Sequence, residues 1–169
     1  MKTPVKLTCT RRVALGFPVW GTVAGLSAMS SQVDAWAEEA MLPSPESLPQ
    51  ALTKALQRGS PLLVMVSLHG CPFCKVARNN YLAPLQGQGG LSIVQIDIRS
   101  RRAIVDFQGH TQTQDDLIRS WSIKIAPTVL FFGKGGVEVA ERLVGGYIPD
   151  FYGAYLDERL AQARKATRL

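Results

Sequence analysis

Apolar and polar positions fall into short periodic blocks along most of the chain. Leu48, Ala51, Leu52, Ala55 and Leu56 recur at helical spacing, so a helix is predicted from a Ser47 cap to about Arg58, with Gly59 as its stop. Pro61 to Leu68 is a continuous apolar run between turn residues, as expected of a strand buried on both faces. Pro72 suits a first helical turn, and the helix it opens is predicted to reach about Tyr81, before Pro84, with Gly87 to Gly90 as a loop. Leu91 to Ile98 is a second strand. Ala103 to Thr111 forms a short hairpin turning at Gln108-Gly109, and Thr113 with Asp116 makes a capping box for a helix ending near Trp121. Thr128 to Phe132 and Val137 to Val144 flank the glycine-rich turn Gly133 to Gly136 and read as an antiparallel hairpin. Asp150 to Ala166 closes the chain as an amphipathic helix, with Tyr152, Leu156, Leu160 and Ala163 on one face.

Residues 1–37 follow a different pattern. Lys2, Lys6, Arg11 and Arg12 form a basic start, Val13 to Met29 is weakly apolar, and Ala35-Trp36-Ala37 places small residues where a signal peptidase reads them. We expect a cleaved export signal over 1–37 and a periplasmic product. An irregular lead-in follows over 38–46, marked by Pro43 and Pro45, and one domain over 47–169. The apolar run is broken by Gly16, Pro18, Gly21 and Gly25 and is shorter than the ~20 residues that span a bilayer, so no stable membrane insertion is expected. Thr10-Arg11-Arg12-Val13-Ala14-Leu15 also resembles the twin-arginine export motif, and Sec and twin-arginine routes both stay open.

The chain has 169 residues, 46% of them hydrophobic, enough for one core. Its formal charge of +6 invites a nucleic-acid reading, but loss of residues 1–37 leaves about +3. The remaining cluster Arg99, Arg101, Arg102 has no interleaved aromatics and reads as a solvated loop, so no nucleic-acid partner is expected. Of three cysteines, Cys9 leaves with the signal, and Cys71 and Cys74 remain as Cys-X-X-Cys. An exported pair of this kind can form a disulfide. The loop it closes is very short, so it adds little to folding and is better suited to redox chemistry.

The element order, the Cys pair after the first strand and Ile125-Ala126-Pro127-Thr128 before the hairpin resemble the thioredoxin fold over about residues 45–165. Within that superfamily the chain resembles the exported thioredoxin-related proteins of bacterial sulfur-oxidation (Sox) clusters, through His69-Gly70-Cys71-Pro72-Phe73-Cys74, Val105-Asp106-Phe107-Gln108-Gly109, Ala126-Pro127-Thr128 and Gly145-Gly146-Tyr147. The fold expected is α/β: a mixed sheet of about four strands plus a short extra hairpin, flanked by helices. Cys71, at the start of the helix opened by Pro72 and near Lys75, is the expected nucleophile, because helix N–H groups and a cation favour a thiolate. Cys74, one turn later, is the expected resolving thiol.

The resemblance implies a cis Pro127 facing the pair, with the Ala126 backbone presenting substrate by strand-like hydrogen bonds. It also implies a reductase of protein or sulfur-conjugate disulfides that needs no cofactor. Its partners would be cysteine-bearing proteins, including those of sulfur metabolism, and a membrane or periplasmic thiol protein as electron donor. Pro72, Phe73, Lys75 and His69 are expected to support the site. Two departures stand out: Gly70, not an aromatic residue, precedes Cys71, and Pro61 to Leu68 holds no acid to relay a proton to Cys74, a task open to His69 or water. An oxidase or isomerase of the same fold is the alternative. A zinc site of Cys71, Cys74, His69 and His110 is disfavoured because His110 is solitary, and a redox-inert module has no need of paired thiols.

Overall fold

A computed structural model describes residues 41–146 and 149–168. The export signal assigned to 1–37 and the start of the lead-in lie outside the described residues. The elements follow the expected order: α1 (Leu48–Gln57), β1 (Leu62–Ser67), α2 (Pro72–Val76) continuing through a π-helical segment (Ala77–Leu82) into α3 (Ala83–Gly89), then β2 (Ser92–Asp97), β3 (Ala103–Val105), β4 (Thr111–Thr113), α4 (Gln114–Ser120), β5 (Thr128–Phe132), β6 (Leu143–Val144) and α5 (Pro149–Arg168). One four-stranded mixed sheet has the order β2-β1-β5-β6, and β3 and β4 form a separate two-stranded hairpin. β1 runs parallel to β2 and antiparallel to β5.

Side chains of β1 and β5 alternate between two cores, as strand geometry requires. Leu63, Met65, Val129 and Phe131 face α2 and α5, where they meet Cys74, Ala77, Tyr152, Leu156 and Leu160. Leu62, Val64, Val66, Leu130 and Phe132 face α1, α4 and the hairpin, where they meet Leu48, Leu52, Ile104, Leu117 and Ile118. All six residues of β1 are buried, which is why its sequence is apolar without alternation. The helix starts also form as their caps dictate. Ser47 accepts Gln50 N–H, and Thr113 accepts Asp116 N–H while donating its hydroxyl to the Asp116 carboxylate.

Two sequence expectations need correction. The helix after the cysteines does not stop near Tyr81, nor is 87–90 wholly a loop: helical backbone runs on through Pro84 to Gly89, and Gly90 alone is left-handed. A proline inside an α-helix lacks its N–H and clashes with the carbonyl four residues back. Here the turn before Pro84 is π-helical, with Ala83 N–H reaching Arg78 O, five residues back. The second strand of the last hairpin is also much shorter than 137–144. Beyond the pairing of Glu138 with Phe132, residues 140–142 leave the ladder and only Leu143 and Val144 rejoin it. Arg142 anchors this excursion, its guanidinium held by Glu138 through two nitrogens and donating to Trp121 O at 2.7 Å.

The described part of the lead-in, residues 41–46, is irregular but firmly placed. Leu42 is buried in the core beneath α2 and α5, Pro43 O accepts Gln95 N–H at 2.9 Å, and Glu46 O accepts Val105 N–H at 2.9 Å. The outer edge of β2 is completed by Gln114, whose Oε1 accepts Asp97 N–H, and by Gln86, whose Nε2 donates to Ile93 O.

Candidate dithiol site

The site forms where β1 ends. After Ser67 the chain turns through Leu68, His69 and Gly70, and Gly70 takes φ +74°, a left-handed conformation that glycine adopts at no steric cost. The turn closes with Cys71 N–H on Leu68 O at 3.1 Å. Cys71 is the N-cap of α2, extended at φ −80°, ψ 113°, and Pro72 occupies the first turn, where its missing N–H costs nothing. In this cap position Cys71 Sγ accepts the Cys74 N–H at 3.1 Å.

Cys71 and Cys74 are joined by a disulfide, with Cα atoms 5.3 Å apart. Their surroundings differ sharply. Cys71 is half-buried, whereas Cys74 is 1% exposed, packed within the core. Phe73 between them is 52% exposed. Lys75 and His69, expected as supporting residues, are both exposed beside the pair.

Pro127 comes to the site from the other side of the sheet, immediately before β5. Cys71 Sγ lies 3.9 Å from Ala126 O, and the Ala126–Pro127 peptide is cis, as the resemblance implied. This corner is held by Thr128 Oγ1 donating to Ile125 O at 2.7 Å and by Gly145 N–H donating to Pro127 O at 2.8 Å. Gly146 leaves room for it: a β-carbon there would lie 3.2 Å from Pro127 Cγ and 3.6 Å from Phe73 Cβ. The exposed Phe73 and Ile125, beside the buried Pro127, thus give the dithiol an apolar rim on this side.

The opposite flank opens into a cleft of about 900 Å³, with Cys71 and Cys74 in its wall beside Ser67, Gln95, Asp97 and Arg99. Sequence reasoning missed Ser67, Gln95 and Asp97; Arg99, read as part of a solvated loop, is indeed exposed in the turn after β2 and also lines the cleft. The available signal was the pair Gln95 and Asp97, polar positions two apart at the C-terminal end of a parallel strand, where open α/β sheets place their ligands. His110, the fourth member of the zinc alternative, sits in the β3–β4 turn with Nδ1 3.5 Å from Asp106. Among the described residues no three His, Cys, Asp or Glu side chains gather into a metal site.

The sequence matches the family described as thioredoxin-like domain over residues 48–160. No match was found among curated proteins. Solved structures similar to this chain include a poplar thioredoxin h (24% identity, 65% of this chain and 86% of that one, TM-score 0.47). They also include a thioredoxin from Thermus thermophilus (21%, 72% and 87%, 0.45) and a thioredoxin-fold protein from Helicobacter pylori (16%, 65% and 83%, 0.43).

Proposed function

The chain belongs to the thioredoxin-like domain family and is a thiol–disulfide oxidoreductase, and from that premise we propose that it is an exported reductase of protein or sulfur-conjugate disulfides. Cys71 is the attacking sulfur and Cys74 the resolving one. The observation that carries this assignment is the asymmetry of the pair: one sulfur half-buried at a helix cap, the other sealed in the core. A thiolate at Cys71 gains the Cys74 N–H and the positive end of the helical run from Pro72 to Gly89. Lys75 adds a nearby cation, and exposed His69 is a candidate to pass protons to solvent.

In the cycle, reduced Cys71 attacks a substrate disulfide and forms a mixed disulfide, expelling one substrate thiolate. Cys74 loses its proton and attacks Cys71 Sγ, releasing the second thiolate and restoring the Cys71–Cys74 bond. The Ala126–Pro127 corner aligns a substrate chain through backbone groups, a role supported by the 3.9 Å separation of Ala126 O from Cys71 Sγ, with Phe73 as an apolar contact. A thiol protein of the membrane or periplasm would return the electrons. Reduction, not oxidation, is favoured by the Sox-like pattern and by Pro72 and Phe73, which carry no side-chain donor to over-stabilise the thiolate. Export rests on the basic and weakly apolar pattern of residues 1–37. Among the described residues no helix is long and apolar enough to cross a membrane.

The two cysteines give opposite outcomes. Cys74→Ser should accumulate covalent complexes with partner proteins that vanish on reduction, whereas Cys71→Ser should abolish both capture and insulin reduction. Capture by Cys71→Ser but not by Cys74→Ser would reverse the roles. Insulin reduction surviving both changes would end the dithiol reading.

A further inference from the structure

We propose that the cleft on the β2 flank is a second entry to the dithiol, admitting low-molecular-weight disulfides that carry anionic groups, with Arg99 as the residue that selects them. This rests on the assignment of Cys71 as the attacking sulfur. The cleft and the apolar rim lie on different flanks: Phe73, Ile125, Ala126, Pro127 and Gly146 do not line the cleft, while both cysteines do. At about 900 Å³ it falls within the ~300–1,000 Å³ of small-molecule pockets. A convex protein surface suits the exposed rim, and a compact molecule suits the concavity.

Its charge points to the ligand's chemistry. Asp97 is the wall's one carboxylate among the described residues, and its Oδ1 is already bonded to Gln95 Nε2 at 2.9 Å. Lys75 and Arg78, in the same wall, have partners of their own. Arg99 is different, because its guanidinium forms no ion pair among the described residues. The acid nearest its backbone is committed elsewhere: Asp115 Oδ1 accepts the Arg99 N–H at 2.7 Å, and its Oδ2 pairs with Arg119. Arg99 is also held at φ +66°, a conformation where glycine or asparagine fits with less strain. A long cation kept there, in the lining of a cleft whose wall also holds the attacking Cys71, is suited to receiving a carboxylate or similar anion.

The chemistry balances without a further reactant. Cys71 thiolate attacks one sulfur of the bound disulfide, whose S–S bond breaks and expels one thiolate. Cys74 gives its proton to solvent, attacks Cys71 Sγ and expels the second, so two electrons pass from the dithiol to the small disulfide.

The test is a single turnover of pre-reduced, desalted protein against three probes: dianionic dithiobis(nitrobenzoate), neutral dithiodipyridine and dicationic cystamine. Arg99→Gln should lower the rate ratio of the dianionic to the neutral probe about three- to fivefold, and Arg99→Lys should restore most of it. Arg99→Glu should shift the ratio further while raising the relative rate with cystamine. Lys134→Gln, a cation outside the cleft, should leave the ratio unchanged, and added salt should bring the wild-type ratio down toward that of Arg99→Gln. Equal losses with all three probes, or no change in the ratio, would overturn the proposal. Insulin reduction by wild type, run in parallel, separates the two readings: no turnover fails the dithiol assignment, whereas normal turnover with an unchanged probe ratio fails the cleft alone.

Discussion

Replacing Asp106 with Asn should weaken folding at neutral pH and remove a specific part of the acid sensitivity. The buried Asp106 carboxylate organises the β3–β4 turn, accepting Gln108 N–H at 2.9 Å, His110 N–H at 2.8 Å and Gln112 Nε2 at 2.8 Å. Burial alone would raise its titration, but the His110 and Gln108 amides, the nearby His110 ring and Gln112 outweigh this and hold it below its ordinary 3.8. Asparagine retains an acceptor for the amides but loses the charge and the oxygen that takes Gln112. Hydrogen bonds to a charged group contribute about 1.5–3 kcal/mol each, against about 0.5–1.5 for neutral ones. Gln108 and His110 are exposed, so water compensates part of the loss. About 1–2 kcal/mol at pH 7 is therefore expected.

The turn also seats Phe107 against Phe132 and Trp121, at centroid distances of 4.6 and 6.5 Å, so the effect should reach the core. Because the folded carboxyl titrates lower than the unfolded one, its stabilisation is fully present above the unfolded value and lost as pH falls through the folded value. Urea unfolding of both proteins from pH 7 down to about 2.5 should show a difference that is present at pH 7 and shrinks as pH falls below ~4. A difference that is independent of pH, or absent at pH 7, would refute the role given to the charge.

Two further substitutions probe close approaches. Gly146→Val should cut the insulin-reduction rate about three- to tenfold with little change in melting temperature, since its β-carbon would press on Pro127 and its added methyls would fill the space beside Phe73; an unaltered rate would discount the Ala126–Pro127 corner. Gly136→Ala places a β-carbon 2.5 Å from Phe107 Cγ at a residue with φ +71°, and thermal unfolding should report a loss of about 2–4 kcal/mol, the sum of overpacking and left-handed strain; a loss below about 0.5 kcal/mol would show that Phe107 moves without penalty.

Local chemistry was legible wherever a single segment determines its own state. The unbroken apolar run of β1, the Ser47 and Thr113 caps and the Pro72 start all read correctly because each depends on neighbours within one turn or on burial of a whole strand. What escaped depends on partners far along the chain. Pro84 looks like a stop until Ala83 is seen bonded to Arg78, and the strand expected at 137–144 is interrupted by Arg142 reaching Trp121, twenty-one residues away. The cysteines were identifiable from spacing and the proline from its setting, but the cleft was not. The side of its wall facing the α2 residues comes from the end of β2 and the loop after it, so Gln95, Asp97 and Arg99 become neighbours of the dithiol only through the parallel pairing that sets Ser67 beside Asp97.

The Pro43–Gln95 bond also bears on how this sheet meets other molecules. An outer strand with unpaired backbone groups can recruit a strand from another chain and seed aggregation. On β2 the outward-facing groups at Ile93, Gln95 and Asp97 are taken by a glutamine from the preceding helix, a prolyl carbonyl and a glutamine from α4. The segment lying outermost contains Pro43 and Pro45, neither of which has an N–H to offer the next strand. The lead-in therefore works as a terminator, closing one side of the sheet to intermolecular growth with residues that cannot continue the pattern.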